Sequence, residues 1–196
     1  MAIAGQGWEL LVSRLGVQQS GRRKRTYGAY QAFLDGRAIA SLAGHMCECV
    51  GPGDNLHAEN NKRIEQGRYP LSTQFGRYRT SGYSQDLQTP GAPPMPALKL
   101  DGTGKRVGIL IHPGHPPNLY LSSIGCFNPT GPLTADQTMD FWDSRTRVIA
   151  LIDSLRGFAP AAFRNEANTP VPDAFVVVEG EPMIALEDSG GAAPAG

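Results

Sequence analysis

The sequence predicts a mainly β fold with one main helix late in the chain. Three observations carry that expectation. The 196 residues include 24 Gly and 16 Pro, a supply of turn formers that suits many short strands and not a helical bundle. Between the turns, apolar residues alternate with polar ones or form brief continuous runs, the two strand signatures. The clearest run of apolar residues at helical spacing follows Thr134.

Taken in order, Trp8 to Gln18 alternates loosely, with Trp8, Leu10 and Val12 set against Glu9, Leu11 and Ser13, and reads as a strand. Thr26 to Leu34 and Arg37 to Leu42 flank Asp35-Gly36 as a hairpin. Gly51-Pro52-Gly53-Asp54-Asn55 is a loop, and Arg68 to Ser72 is a short strand. Gly76 to Pro96, rich in Gly, Pro, Ser, Thr and Gln, reads as a long loop beside the functional site or as a lid over it. Leu98 to Leu100 and Val107 to Ile111 are strands around the turn at Asp101-Gly102-Thr103-Gly104, and Ile109-Leu110-Ile111 suits a strand buried on both faces.

The helix is expected to start at a capping box, Thr134 to Gln137, with Asp136 near its positive end. Phe141, Val148, Ile152 and Leu155 share one face, Trp142, Arg145 and Ile149 lie beside it, and Gly157 is the expected stop. On this reading the helix packs its aromatic end against the sheet. Asp173 to Glu179 is a last strand, with which Met183 to Leu186 is expected to pair. The whole is one domain over 1–189 with a flexible tail over 190–196.

Composition limits function. A 40% hydrophobic content is enough for one well-buried domain. Lys plus Arg and Asp plus Glu balance at 18 each, so no long-range attraction to nucleic acid or an anionic membrane is expected. The basic run Arg22 to Arg25 reads as a solvated hairpin turn after Ser20-Gly21. No stretch approaches the ~18 apolar residues of a membrane helix, so no membrane insertion is expected. The start of the sequence shows no basic segment followed by an apolar core, and no signal peptide is read there.

The chemistry concentrates in Ile109-Leu110-Ile111-His112-Pro113-Gly114 and Ser122-Ser123-Ile124-Gly125-Cys126-Phe127-Asn128. An apolar strand delivers a histidine, and fourteen positions later a Ser-x-Gly-Cys turn delivers a thiol. A thiol and an imidazole make an activated nucleophile when the fold brings them together. His112 is the preferred base, because the strand fixes it, with His115 as the alternative. Gly125 and Cys126 are expected to offer backbone N–H groups to an oxyanion, and Ser123 to steady the turn or orient the imidazole. Singly, a buried Cys is inert packing and a strand-end His is a satisfied polar group. Their conjunction with Ser-x-Gly favours catalysis.

A second constellation, His45, Cys47 and Cys49, steps ~6.6 Å between side chains on one strand face, too far for one tetrahedral zinc. It reads as core packing, with no metal and no cofactor expected. Arg63, Arg68, Arg77 and Arg79 surround Gly67-Arg68-Tyr69-Pro70, and Arg68 and Arg79 are the expected contacts for a substrate carboxylate. His115 and Asn128 are expected to line the same site.

The His strand followed by Ser-x-Gly-Cys-apolar resembles the signature of the L,D-transpeptidase catalytic domain family, cysteine enzymes that act on peptidoglycan stem peptides. The segment from Phe33 to Arg37 and the run Lys62 to Pro70 resemble the part that precedes the catalytic half in related domains. The similarity covers roughly Phe33 to Asn128 and leaves the last third unmatched. Two departures stand out: the family usually carries Arg where this chain has Asn128, and the spacing from His112 to Cys126 is short. The resemblance implies a β-sandwich or barrel with the main helix after the catalytic Cys. It also implies attack of Cys126 on a tetrapeptide stem, loss of D-alanine and a thioester, followed by transpeptidation, exchange or L,D-carboxypeptidase action.

Three function classes remain open at this stage. The first is a peptidoglycan-active cysteine enzyme made in a bacterial cytoplasm and delivered, as an antibacterial effector of a type VI secretion kind, to the periplasm of a target cell, with an immunity protein as partner. The second is a phage or cytoplasmic enzyme acting on muropeptide fragments. The third is a non-catalytic wall-binding or phage assembly module on the same fold.

Overall fold

In a computed structural model, which describes residues 2–80 and 95–182, the protein is mainly β, as its composition predicts. Three long strands open the chain: β1 (Trp8–Ser20), β2 (Arg23–Leu34) and β3 (Arg37–Glu48). Asp35 and Gly36 join β2 to β3 with φ of 48° and 75°, the pair of positive values that a two-residue turn needs to match strand twist. Short strands follow: β4 (Gly67–Thr73), β5 (Tyr78–Arg79), β6 (Met95–Pro96), β7 (Leu98–Leu100), β8 (Leu110–Ile111) and β9 (Asn128–Thr130). The helix α1 (Phe141–Phe158), a short 3-10 turn (Pro160–Phe163) and the strand β10 (Pro170–Glu179) complete the regular structure of the described residues.

Eight strands form one sheet in the order β8-β7-β4-β10-β1-β2-β3-β9. All neighbours are antiparallel except β1 and β10, which run parallel. The two ends of that order meet. Ile111 bridges Phe127 in parallel, His112 N–H donates to Phe127 O at 3.0 Å, and Phe127 N–H donates to Leu110 O at 2.8 Å. The sheet therefore curls into a nearly closed barrel, and its seam lies between β8 and the residues that lead into β9. Closure hides edges that would otherwise pair with other chains.

Alternation fills the interior. Trp8, Leu10 and Val12 of β1, Tyr30 and Ala32 of β2, Leu71 of β4, and Val176 and Val178 of β10 share one buried core with Ile111 and Phe127 of the seam. The helix adds Val148, Leu151, Ile152 and Leu155 to it. Trp8 Nε1 donates to Ser154 Oγ at 3.0 Å, tying the first strand to the helix.

Several sequence expectations need correction. The helix starts at Phe141, capped by Asp140, whose carboxylate accepts from Asp143 N–H. Thr134 and Gln137 do interact, since Thr134 N–H donates to Gln137 Oε1 at 2.9 Å, but they close a turn before Pro-flanked chain has become helical. Gly157 lies inside the helix, and Ala159 caps its end. Trp142 is 42% exposed, so the middle of the helix, not its aromatic end, meets the core. Of the basic run, Arg22, Arg23 and Lys24 are exposed, whereas Arg25 is fully buried. The strand expected over Val107 to Ile111 is confined to Leu110–Ile111. Most of the Gly76–Pro96 loop, the Met183–Leu186 pairing and the 190–196 tail fall on residues outside those described.

Candidate active site

The seam positions the site. Because strand side chains alternate, Ile111 and Phe127, both fully buried in the core, force their neighbours His112 and Cys126 to the opposite face. Parallel pairing puts Leu110 beside Cys126 and His112 beside Asn128. The two motif residues, fourteen positions apart in sequence, thus stand on one face of the closing strands. Both line a single cleft of about 390 Å³, with Tyr78, His115, Ser123 and Ile124 among its other walls.

His112 is almost wholly buried. Its Nδ1 lies 2.9 Å from Pro113 O, and a carbonyl only accepts, so the proton sits on Nδ1 and Nε2 is the basic nitrogen. Burial drives the imidazole well below its ordinary value, to about 4, and nearby His115 adds to the effect against the pull of the Pro113 carbonyl. At neutral pH the ring is uncharged. Asn128, fully buried, donates from Nδ2 to His112 O at 3.1 Å and accepts Ser122 N–H on Oδ1 at 3.1 Å. The expected substrate contact is a brace inside the seam.

Cys126 is half-buried. Leu110 N–H donates to its Sγ at 3.3 Å, and Sγ donates to Gly108 O at 3.6 Å. Burial raises the thiol above its ordinary value, against the Leu110 N–H, the Ser123 hydroxyl and the Arg106 guanidinium, which all favour the thiolate. The resting pair is therefore a neutral thiol and a neutral imidazole. They share the cleft without a hydrogen bond between them among the described contacts, a looseness common in catalytic pairs before substrate arrives.

The turn before Cys126 is held from three sides. Gly125 N–H donates to Ser123 Oγ at 2.8 Å, so Ser123 steadies the turn and does not orient the imidazole. The same bond occupies the Gly125 N–H expected to face an oxyanion. Cys49, packed in the core beside the turn, donates its thiol to Ser123 O at 3.3 Å. Arg106, only 4% exposed, donates to Ile124 O at 3.0 Å and anchors itself on Lys62 O and Asp54 O. A Cβ on Gly125 would stand 2.1 Å from Arg106 Nη2, which is why the motif needs glycine here.

His115 is the second imidazole of the cleft. Its Nδ1 lies 3.1 Å from Pro116 O and its Nε2 3.1 Å from the Tyr78 hydroxyl, so the phenol donates and the Nε2 lone pair is occupied. His112, whose Nε2 is not taken in this way, is the better placed base. Tyr78 also packs its ring 4.9 Å from that of His112.

Arg68 and Arg79 do not line the cleft. Arg68 pairs with Glu9 and stacks on Phe175 at 3.7 Å, which serves the β1–β10–β4 part of the sheet. Arg79 stacks over Phe75 and approaches Glu166 at 3.9 Å. Arg63 is buried against Thr26 and Glu181. His45 stacks on Tyr27 with centroids 5.1 Å apart, and Cys47 packs with Tyr27 and Met139. Among the described residues no cluster of His, Cys, Asp and Glu has the arrangement of a metal site.

Sequence reasoning missed Tyr78, Arg106 and Cys49. An aromatic inside a Gly- and Pro-rich segment already expected beside the site was a usable signal for Tyr78. Nothing in the spacing announces Arg106 or Cys49, whose roles come from packing across the chain. Comparison with protein-family models, with curated proteins and with solved structures gives no match.

Proposed function

We propose that the protein is a cysteine acyl-transfer enzyme of L,D-transpeptidase or L,D-carboxypeptidase type, acting on the tetrapeptide stems of peptidoglycan. The observation that carries this reading is that Cys126 and His112 stand diagonally across the barrel seam on one face and line one cleft. The resemblance of the His strand and Ser-x-Gly-Cys turn to that family supplies the substrate class. Nδ1–H held by Pro113 O leaves Nε2 as acceptor, which suits general-base activation of a neutral thiol.

The cycle balances as follows. His112 Nε2 takes the Cys126 proton as sulfur bonds to the carbonyl carbon at the L-centre of the stem's diamino acid. The C–N bond to the terminal D-alanine then breaks, and the imidazolium gives its proton to the departing amine. The thioester is released by an amine, giving transpeptidation or exchange, or by water, giving carboxypeptidase action; His112 takes the incoming proton and returns it to sulfur.

The test is to incubate the protein with tetrapeptide and pentapeptide muropeptides and follow the products by mass spectrometry, beside Cys126→Ala. Loss of one alanine, or its exchange for an added D-amino acid, is expected from the parent and not from the variant. Unchanged muropeptides would reject the enzyme and favour a wall-binding or phage assembly module. Delivery to a target periplasm as a type VI secretion effector, countered by an immunity protein, belongs to the same proposal. A signal-tagged version expressed in a bacterial periplasm is then toxic in a Cys126-dependent way, and harmless export would count against that role.

A further inference from the structure

We propose that Arg23 and Lys24, at the tip of the β1–β2 hairpin, form an anion subsite that continues the catalytic cleft and receives a carboxylate of the peptide substrate; the substrate's identity rests on the reading above. A second pocket, of about 440 Å³, is bounded by Arg23, Lys24, Tyr120 and Thr138. Asn118 and Leu121 line both this pocket and the cleft that holds Cys126. The two spaces therefore share these two wall residues, and an extended ligand reaching from the thiol past Asn118 and Leu121 arrives at the cations.

The pocket is built for an anion. The guanidinium of Arg23 lies over the Tyr120 ring, 4.5 Å from its centroid; stacking leaves a guanidinium's N–H edges available to a planar acceptor such as a carboxylate. Arg25 lies 4.4 Å from the same ring and fixes it from within. Its guanidinium, fully buried, donates to Gln18 Oε1 at 2.8 Å, Tyr120 O at 3.1 Å and Thr134 O at 2.9 Å. Beyond that stacking, the hydrogen bond of the Arg23 guanidinium among the described residues is a 3.4 Å donation to Ser20 Oγ. Among the described residues, none that lines the pocket carries a carboxylate. In a chain of zero net charge, this is a local concentration of positive charge rather than a property of the whole molecule, and local fields of this kind raise the concentration of anionic ligands. The expected cations Arg68 and Arg79 are engaged elsewhere, and Arg106, which acts on Cys126, is tied to the Ile124, Lys62 and Asp54 carbonyls; the hairpin tip adds further positive charge beside the cleft.

The deciding experiment compares alkylation of Cys126 by iodoacetate and by iodoacetamide, in the parent and in Arg23→Gln/Lys24→Gln. In both cases the thiolate attacks the reagent's carbon and displaces iodide, so the ratio of the two rates cancels any change in thiol ionisation and reads the field along the cleft. The ratio is expected to fall about threefold at low salt and to converge with the parent's in high salt. Lys24→Glu alone should lower it in the same direction. An unchanged ratio in both variants overturns the subsite. In a Cys126→Ala background, a tetrapeptide muropeptide with free carboxylates should bind the double variant about tenfold more weakly, and its carboxamide form equally well. If neither form binds the parent while the alkylation ratio still falls, the anion subsite stands and the peptidoglycan reading is the part that fails.

Discussion

Two buried polar clusters in this barrel use burial in opposite ways. In one, Arg14 forks onto Glu48 at 2.6 and 2.9 Å, reaches Glu181 Oε1 at 2.8 Å and donates to Ile64 O and Gly180 O. Arg63 joins it through Glu181 Oε2 and Thr26 Oγ1. Each charged group there faces an opposite charge, the condition under which buried ions are tolerated, although Arg63 Nε has no partner among the described residues and burial still pushes the Glu48 carboxyl above its ordinary range against the pull of Arg14. In the other, at the seam, His112 is buried and Cys126 half-buried, and burial favours the neutral form of each. The first arrangement commits its groups to the fold. The second leaves a basic nitrogen and a thiol with unspent chemistry facing a cleft.

The largest loss is expected from removing one member of the ionic cluster. Arg14→Ala leaves Glu48, 2% exposed, without its fork and should lower unfolding free energy by about 3–5 kcal/mol in urea titrations. Arg14→Met combined with Glu48→Leu removes both charges and should recover most of that loss. A double variant as unstable as Arg14→Ala would show that the cluster does more than satisfy itself.

The seam should instead show itself through pH. The unfolded chain binds a proton at His112 near the ordinary value of 6.5, the folded chain only near 4. Between those values the unfolded state holds more protons, so stability rises with pH through the window. The contribution is fully present above about 6.5 and is lost as pH falls toward 4, about 3 kcal/mol in all. His112→Gln should lack this slope while the rest of the acid response remains. Parallel stability curves for parent and variant between pH 7 and 4 would mean that the imidazole is not held neutral by burial.

How much of this was legible in the sequence follows from what each feature depends on. The long hairpins were legible, because Asp35-Gly36 and the alternation of Trp8, Leu10 and Val12 are local signals. The pairing of the His and Cys motifs was legible as chemistry but not as geometry. It depends on a parallel bridge between Ile111 and Phe127 that closes a sheet whose other strands lie far away in sequence. The helix start was misplaced by several residues because Thr134 and Gln137 carry the right residue types, and only the fold decides that Asp140 is where the backbone turns helical. Arg68 and Arg79 were misread for a related reason. Cationic side chains near a motif are near it in sequence, whereas Glu9 and Phe175, which capture Arg68, come from strands that only the barrel brings alongside. Arg25 reversed its expected role because a residue on the inner side of a hairpin tip can be drawn under a loop, here onto Tyr120 O and Thr134 O.

Within the seam itself, a single hydroxyl separates the two imidazoles. Tyr78→Phe keeps the ring that packs 4.9 Å from His112 and removes only the hydroxyl that donates to His115 Nε2 at 3.1 Å. The hydrogen bond is worth about 0.5–1.5 kcal/mol of stability. If His112 is the base, muropeptide turnover should change by no more than about tenfold, the rate equivalent of that energy, because the nitrogen that accepts the thiol proton is untouched. His115 in Tyr78→Phe has a freed Nε2 facing the same cleft, so a base role for it would show as a gain in rate or a new acid limb in the pH profile. A loss approaching that of Cys126→Ala would instead make the phenol–imidazole pair part of the proton path, and the line between fold-committed and chemically free groups would have to be redrawn to place Tyr78 and His115 on the free side.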